Sequence, residues 1–322
     1  MATSVKNRME RLLATNAVSH TPANRGRAAP SLATLIARTR RRLVAARLHY
    51  GHGTQNAADD AAALVVHAFA LRWPLTETQL RKRATLRGRA VLDGLVHRRI
   101  AERVPAVYLT GRTFFAGVPM RTDARALVPR SPIAELIERQ FAPWIEPARV
   151  RRVLDVGTGS GCIALASALA LPRARVDAVD ISEAALSLAR ENRRDLGLQR
   201  RVRVLRSDYF SALAGQRYDI IVSNPPYVGR EEFAALPAEY AHEPSLGLVA
   251  GRDGTDAVRV LLRESAPHLE PGGILVVEVG NTEEVVRRRW PKVPFTWLGF
   301  ERGGGGVFVL TAEQLAVLSG SR

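Results

Sequence analysis

From Val150 onward, short apolar runs alternate with longer stretches in which apolar residues recur every three or four positions. The runs at about 151–156, 175–179, 202–206, 218–223, 273–279, 294–300 and 306–311 predict strands. The stretches at about 161–171, 182–195, 254–267 and 281–289 predict the helices between them. Strand and helix taking turns predicts an α/β domain, a mostly parallel sheet with helices on both faces. Only Glu301 to Gly305 separate the last two strands. That is too short for a parallel crossover, so the pair is expected to be an antiparallel hairpin, giving a seven-stranded sheet with one reversed strand.

The front of the chain carries the helical period instead. Ser31 is placed to cap a helix running to about Leu48, with Leu32, Leu35, Ile36, Leu43 and Val44 near helical spacing. Helices follow at about 57–72, 76–83 and 87–103, the last ending before Pro105. Residues 31–105 therefore read as a small helical domain. Residues 106–128, with Phe114, Phe115, Val118 and Leu127-Val128, read as a β-hairpin hinge, and Pro129 to Pro132 open the helix that begins the α/β domain, 129–322. The first 30 residues hold one acid, Glu10, with Pro22 and Pro30 among Arg, Ser and Thr, and read as a disordered basic tail. Met9, Leu12 and Leu13 are too sparse to make that tail an amphipathic targeting helix.

Charge divides the chain in the same way. Net charge is +16, and residues 1–149 hold 25 Lys and Arg against 10 Asp and Glu, whereas residues 150–322 hold 22 against 21. A basic front joined to a neutral back suggests docking on a polyanion, with chemistry performed elsewhere. All but Lys6, Lys82 and Lys292 of the 47 basic residues are arginine, so compositional bias contributes, yet the shortage of acids is confined to the front. The single cysteine, Cys162, excludes a disulfide framework and a cysteine-based metal site and suits a reducing cytoplasm. No apolar run reaches the ~18 residues of a membrane span.

Candidate chemistry falls where the predicted strands end. Val153 to Gly161 reads as strand, glycine-rich turn and helix, with spacing GxGxG. Gly157 permits the tight turn, Gly159 lets a ligand approach the backbone beside Thr158, and Gly161 opens a helix whose free N–H groups can receive an anion. Asp155 ends the first strand and is placed to face an ammonium. Asp180 ends the second, where a carboxylate can accept two ribose hydroxyls, with Asp177 less favoured. After the third strand, Asp208 can accept from an exocyclic amine and Tyr209 can lie against a ring. Taken singly, Asp180 could cap a helix, Asp208 could form a turn and Tyr209 could be core. Together they line the carboxyl ends of successive parallel strands, where such sheets bind ligands.

Directly after the run Tyr218–Ser223 stands Asn224-Pro225-Pro226-Tyr227. Asn224 supplies an amide oxygen, the two prolines stiffen the chain and remove competing N–H groups around the Pro225 carbonyl, and Tyr227 offers a flat face with a polar tip. By itself the tetrad could equally be a proline-rich stop after a strand.

These residues in combination resemble the HemK-type protein glutamine-N5 methyltransferases. Finer stretches resemble the branch called PrmB, whose substrate is a glutamine of large-subunit ribosomal protein three. They are Tyr50 to Thr54, Tyr108 to Thr110, Leu127 to Ile133, Glu239 to Leu248 and Val293 to Leu298. The resemblance covers roughly residues 35–312. The release-factor branch carries Arg-Pro-Asp-Thr-Glu in its hinge helix, and this chain departs from it at Arg130-Ser131-Pro132-Ile133.

The resemblance implies a class I S-adenosylmethionine-dependent methyltransferase, Rossmann-like, with S-adenosyl-L-methionine held by Asp155, Gly157, Thr158, Gly159, Gly161, Asp180, Asp208, Tyr209 and Asn224. It also implies a glutamine amide gripped by Asn224, Pro225, Pro226 and Tyr227, with Arg130 on the substrate side. Asn224, Pro225 and Tyr227 are the expected catalytic residues. An amide nitrogen is a poor nucleophile because its lone pair is delocalised. Binding its two protons to the Asn224 oxygen and the Pro225 carbonyl orients it without a strong base. His242 and Glu243 are placed to shape a substrate channel or to form a structural pair. Ribosomal RNA or a pre-ribosomal particle is the polyanion that the basic half would then meet. The same tetrad serves nucleic-acid amine methyltransferases, which predict a base-recognition domain and a basic catalytic mouth.

Overall fold

A computed structural model describes residues 29–320, so nearly all of the expected basic tail lies outside the described residues. The chain forms two compact units, one of residues up to Tyr50 with Thr54–Thr110, the other of Gly51–Gly53 with Gly111 onward.

The first unit is helical, and its helix starts are written in side chains that accept backbone N–H groups. Ser31 caps α1 (Leu32–Ala45), Asn56 caps α2 (Ala57–Ala68), Thr76 and Gln79 form a capping box on α3 (Glu77–Arg81), and Thr85 caps α4 (Leu86–Ala101). Leu35, Leu43, Leu64, Val65, Leu92 and Val96 form the centre of its core. Beside that core Arg99 donates to Asp60 at 2.7 Å and to the His49 carbonyl at 2.7 Å, and Thr54 donates to Asp60 at 2.5 Å.

A short fifth helix, α5 (Ala106–Thr110), stands where the hairpin was expected to begin. Pro105 starts it: the ring supplies helical φ and its carbonyl accepts the Tyr108 and Leu109 amides. The hairpin itself is β1 (Arg112–Phe115) and β2 (Val118–Arg121), turned by Ala116 and Gly117 at positive φ, the type I′ requirement.

The second unit carries α6 (Ile133–Glu138) and a sheet of β3 (Arg152–Val156), β4 (Arg175–Asp180), β5 (Val202–Arg206), β6 (Tyr218–Ser223), β7 (Leu269–Glu278), β8 (Thr296–Trp297) and β9 (Val307–Thr311). Their order is β5-β4-β3-β6-β7-β9-β8, with β9 paired antiparallel to both β7 and β8 and the other pairings parallel. This is the class I methyltransferase arrangement. The helices are α7 (Cys162–Ala170), α8 (Glu183–Asp195), α9 (Arg230–Ala234), α10 (Asp256–Glu264), α11 (Glu283–Arg289) and α12 (Ala312–Gly320). Central strands are buried on both faces: Ile220 and Val222 pack with residues of α7 and α8, while Tyr218 and Ile221 pack with residues of α10 and α12.

Two strands differ from expectation. β8 is only Thr296–Trp297, because Pro294 lacks an N–H for the ladder. β7 begins at Leu269, whose pairing with Tyr218 overrides the turn signal of Pro271-Gly272-Gly273.

The order reverses between β3 and β6, and crevices at such switch points are where open α/β sheets bind ligands. Val156 pairs with Ser223, and the Ser223 hydroxyl donates to the Val156 carbonyl at 2.8 Å. The glycine-rich turn and the Asn-Pro-Pro-Tyr tetrad therefore emerge side by side.

Candidate active site

A cavity of about 420 Å³ opens at these strand ends. Its lining includes Gly157, Thr158 and Gly159 after β3, Asp180 after β4, Asp208 and Tyr209 after β5, Asn224 to Tyr227 after β6, and Arg130. Of the residues expected from sequence to hold cofactor or substrate, Asp155 and Gly161 do not line it, and neither do His242 and Glu243, placed there as possible channel residues.

The glycine-rich loop is held from behind. The Gly157 and Thr158 amides both donate to the Val179 carbonyl at 2.9 Å, and the Gly159 amide donates to Asp180 at 2.8 Å. Gly157, Gly159 and Gly161 all have positive φ. At Gly161 a Cβ would come within 3.1 Å of Ala189, so this glycine serves the close packing of α7 against α8. On α8, Asn192 donates to the carbonyls of Ser160 and Arg121, tying the loop to β2.

Asp155 is wholly buried beneath the loop. One of its carboxylate oxygens accepts from the Thr158 hydroxyl at 2.5 Å and from the Ala164 amide at 3.0 Å, bracing the loop against the start of α7. The other has no hydrogen-bond partner among the described residues. Burial pushes the group up to about 7. Expected to face an ammonium, Asp155 lies outside the cavity lining and braces the glycine-rich loop from beneath.

Asp180 does line the cavity, one oxygen accepting from Gly159 and the other from the Ser182 amide at 2.9 Å. Burial pushes its pKa above the usual carboxylate range, and those N–H donors oppose the rise. Tyr209, at φ 46°, is turned by a strained backbone whose carbonyl accepts from the Ser207 hydroxyl at 2.8 Å.

The tetrad sits opposite. Asn224 is half-buried, and its carboxamide makes no hydrogen bond to another described residue. Tyr227 is held at three points. Its carbonyl accepts from the Thr282 hydroxyl at 2.6 Å, its ring lies over Gly280, where a Cβ would come within 2.6 Å, and its hydroxyl donates to Glu278 at 3.4 Å. The chain beyond it is tied by the Val228 amide to the Leu248 carbonyl at 2.9 Å and by the Ala250 amide to the Val228 carbonyl at 3.0 Å.

A family model described as "Methyltransferase small domain" matches residues 139–238. The chain is 47% identical over 270 residues to the ribosomal protein uL3 glutamine methyltransferase of Xanthomonas campestris pv. campestris, covering 84% of this chain and 87% of that one. It is 46% identical over 302 residues to the protein of the same name from Xylella fastidiosa, covering 93% and 95% of the two. The chain belongs to the ribosomal protein uL3 glutamine methyltransferase family. In fold it is also similar to the crystal structure of a methyltransferase from Pyrococcus furiosus, at 20% identity and a TM-score of 0.41, over 60% of this chain and 88% of that one.

In this member of the uL3 glutamine methyltransferase family, Arg130 lines the cavity and is ion-paired within the chain. Its guanidinium makes a bidentate pair with Glu243 at 2.5 and 2.6 Å and lies 5.5 Å from the Tyr240 ring centroid. Glu243 is buried and also accepts from the Val128 amide at 3.1 Å, while His52 packs edge-on to Tyr240. Glu243 therefore pairs with Arg130, and the segment before α6 is buckled to the loop after the tetrad. The reason is spacing: sequence places Arg130 at a helix start, and only folding brings a buried carboxylate 113 residues away into its reach.

Sequence reasoning missed Glu278, Gly280 and Thr282, the residues that hold Tyr227. The readable signal was a lone carboxylate inside the apolar run Ile274–Val279, followed by glycine. Among the described residues, no helix is long and apolar enough to cross a membrane.

Proposed function

We propose that this protein transfers a methyl group from S-adenosyl-L-methionine to the side-chain amide nitrogen of a glutamine in ribosomal protein uL3. The observation that carries the reading is that Asn224 and Pro225 line the cavity directly after a strand paired with the one that opens the glycine-rich loop. The curated relatives named for this activity support the substrate.

The residues fit the cofactor. The first turn of α7, with Cys162 and Ile163 at the cavity, offers N–H groups to a carboxylate. Asp180 offers acceptors to ribose hydroxyls, and Asp208 and Tyr209 provide an acceptor and a ring for adenine. Asp155 acts from beneath by holding Thr158. When bound, S-adenosyl-L-methionine supplies an electrophilic methyl carbon on a sulfonium.

This chain's own work is to present the nucleophile. The Asn224 oxygen and the Pro225 carbonyl accept the two amide protons, which fixes the nitrogen's direction and favours the positive charge that develops on it. Tyr227 packs on the planar amide and excludes competing groups. The alkylated nitrogen is acidic and releases its proton to water.

The basic helical unit serves as the grip on ribosomal RNA or on an assembling particle. Within residues 29–50 and 54–110 it carries 14 Lys and Arg against 5 Asp and Glu. Four of those acids are paired: Asp60 with Arg99, Asp93 with Arg42, Glu77 with Arg81 and Glu102 with Arg98. Arg38, Arg40 and Arg41 of α1 are exposed. Such binding is expected to weaken as salt rises. The protein works in the cytoplasm, where that substrate is assembled.

The deciding experiment incubates the protein with labelled cofactor and ribosomal proteins from cells lacking the enzyme. A single methyl increment on a glutamine peptide of uL3 is expected. Label in a release factor or a nucleobase instead, or no label at all, overturns the reading.

A further inference from the structure

Glu278 closes β7 with its side chain buried, outside the cavity lining yet joined to it through Tyr227. One oxygen accepts from the Tyr227 hydroxyl at 3.4 Å and the other accepts from the Ser131 hydroxyl. Ser131 is itself an acceptor for the Ile133 amide at 3.1 Å, so its only proton is directed at Glu278. Burying a carboxylate is unfavourable, and a leucine or methionine would fill the space without that cost. What a carboxylate offers, and a neutral side chain does not, is acceptance alone. When ionised it obliges both hydroxyls to donate to it, which fixes the direction of the Tyr227 O–H bond and with it the ring.

The ionised state is finely balanced. Burial pushes Glu278 up to about 7, opposed by the Ser131 and Tyr227 hydroxyls and by the nearby Arg130 charge. The charged and titratable groups facing it are Arg130, on the segment before α6, and Tyr227, after β6. Arg130 is neutralised in turn by Glu243, with Tyr240 against its guanidinium. No second buried carboxylate is among the groups acting on Glu278.

We propose that Glu278 is a positioning residue for methyl transfer, holding the Tyr227 ring in register with the Asn224 and Pro225 acceptors and locking it to Ser131 at the start of α6. The proposal rests on the glutamine methyltransferase reading above. Near neutral pH the lock forms as Glu278 loses its proton, so turnover rises through that range while cofactor binding does not follow it.

The test measures kcat on uL3 at saturating cofactor from pH 5.5 to 8.5 (a range of roughly this width brackets the transition). The wild type, Glu278→Gln, Tyr227→Phe and the double variant are compared, with cofactor Kd and melting temperature measured alongside. Expected results are an inflection near neutral pH in the wild type that is lost in both single variants, and a fall in kcat on the order of tenfold to a hundredfold. Cofactor Kd should be unchanged, and the double variant should be no worse than the weaker single one, because both act on one contact. A flat wild-type profile, or effects that multiply in the double variant, overturns the proposal. If Glu278→Gln does not fold, Tyr227→Phe with an unchanged inflection overturns it equally.

A readout independent of turnover separates this proposal from the reading it rests on. In side-chain carboxyl NMR, the titration of Glu278 should move to higher pH in Tyr227→Phe and again in Ser131→Ala, since each loses a donor to the carboxylate. No movement means no lock, whether or not uL3 is methylated. A wild type that leaves uL3 unlabelled defeats the functional reading alone.

Discussion

The placement of Tyr227 is open to a sharp test at Gly280. A Cβ there would meet Tyr227 Cε2 at 2.6 Å and Cζ at 2.9 Å, on a backbone at φ +47°. Ordinary contact begins at 3.4 Å, so Gly280→Ala must move the ring by ~0.8 Å or shift its own strand end. The backbone strain of alanine at positive φ adds ~1–2 kcal/mol of destabilisation. A matched control separates strain from clash. Gly215 has φ +69° with nothing within 4 Å of its Cβ position, so Gly215→Ala bears the strain without a clash.

Both variants should melt several degrees below wild type, since ~1 kcal/mol corresponds to ~2–4 °C for a unit of this size. Only Gly280→Ala should lose turnover. A displacement approaching ~1 Å at a positioning group costs up to ~100-fold, so a fall of roughly 10- to 100-fold in kcat is expected. The assay is initial rate on uL3 at saturating cofactor, with calorimetric cofactor affinity measured on the same preparations. Wild-type turnover by Gly280→Ala, or equal losses in the two variants, would show that the ring position does not matter to the reaction.

Asn224→Ala should reduce kcat ~100- to 1,000-fold, the usual loss for one preorganised partner of a transition state, with calorimetry showing cofactor affinity largely kept. Glu278→Gln should alter the pH dependence of stability in a defined direction. Glu278 is raised from its ordinary value to about 7, so the native state holds a proton that the unfolded chain has already released. Its unfavourable contribution therefore grows from about pH 4 to about pH 7 and then stays constant. Relative to the glutamine variant, the wild type should lose stability across that window in urea titrations, and a constant difference would contradict the assignment. In the helical unit, Arg99→Met should destabilise by ~3–5 kcal/mol by leaving Asp60 buried without its partner, as read by chemical denaturation.

Much of the architecture was already legible in local patterns. Helix starts at Ser31 and Thr76 are announced by side chains that reach backbone groups three residues on, and Asn56 likewise reaches two and three residues on. The parallel strands are announced by apolar runs, since both faces of β3, β4 and β6 are covered. The glycine-rich loop and the Asn-Pro-Pro-Tyr tetrad are likewise contiguous motifs whose backbone demands show in residue type. Where one local signal competed with another, sequence reading slipped. Pro105 starts a helix within the stretch read as hairpin, and Pro271-Gly272-Gly273 is drawn into β7 by its partner strand.

Contacts between residues far apart in the chain belonged to the tertiary structure alone. Arg130 meets Glu243, Asp155 turns beneath its loop, and Ser131, Glu278 and Tyr227 form one hydrogen-bonded group from three separate segments. Propensity, capping and hydrophobic period act over a few residues, so they are encoded where they are used. The partner of a buried charge is set instead by strand order and loop path, and is encoded by the whole fold at once.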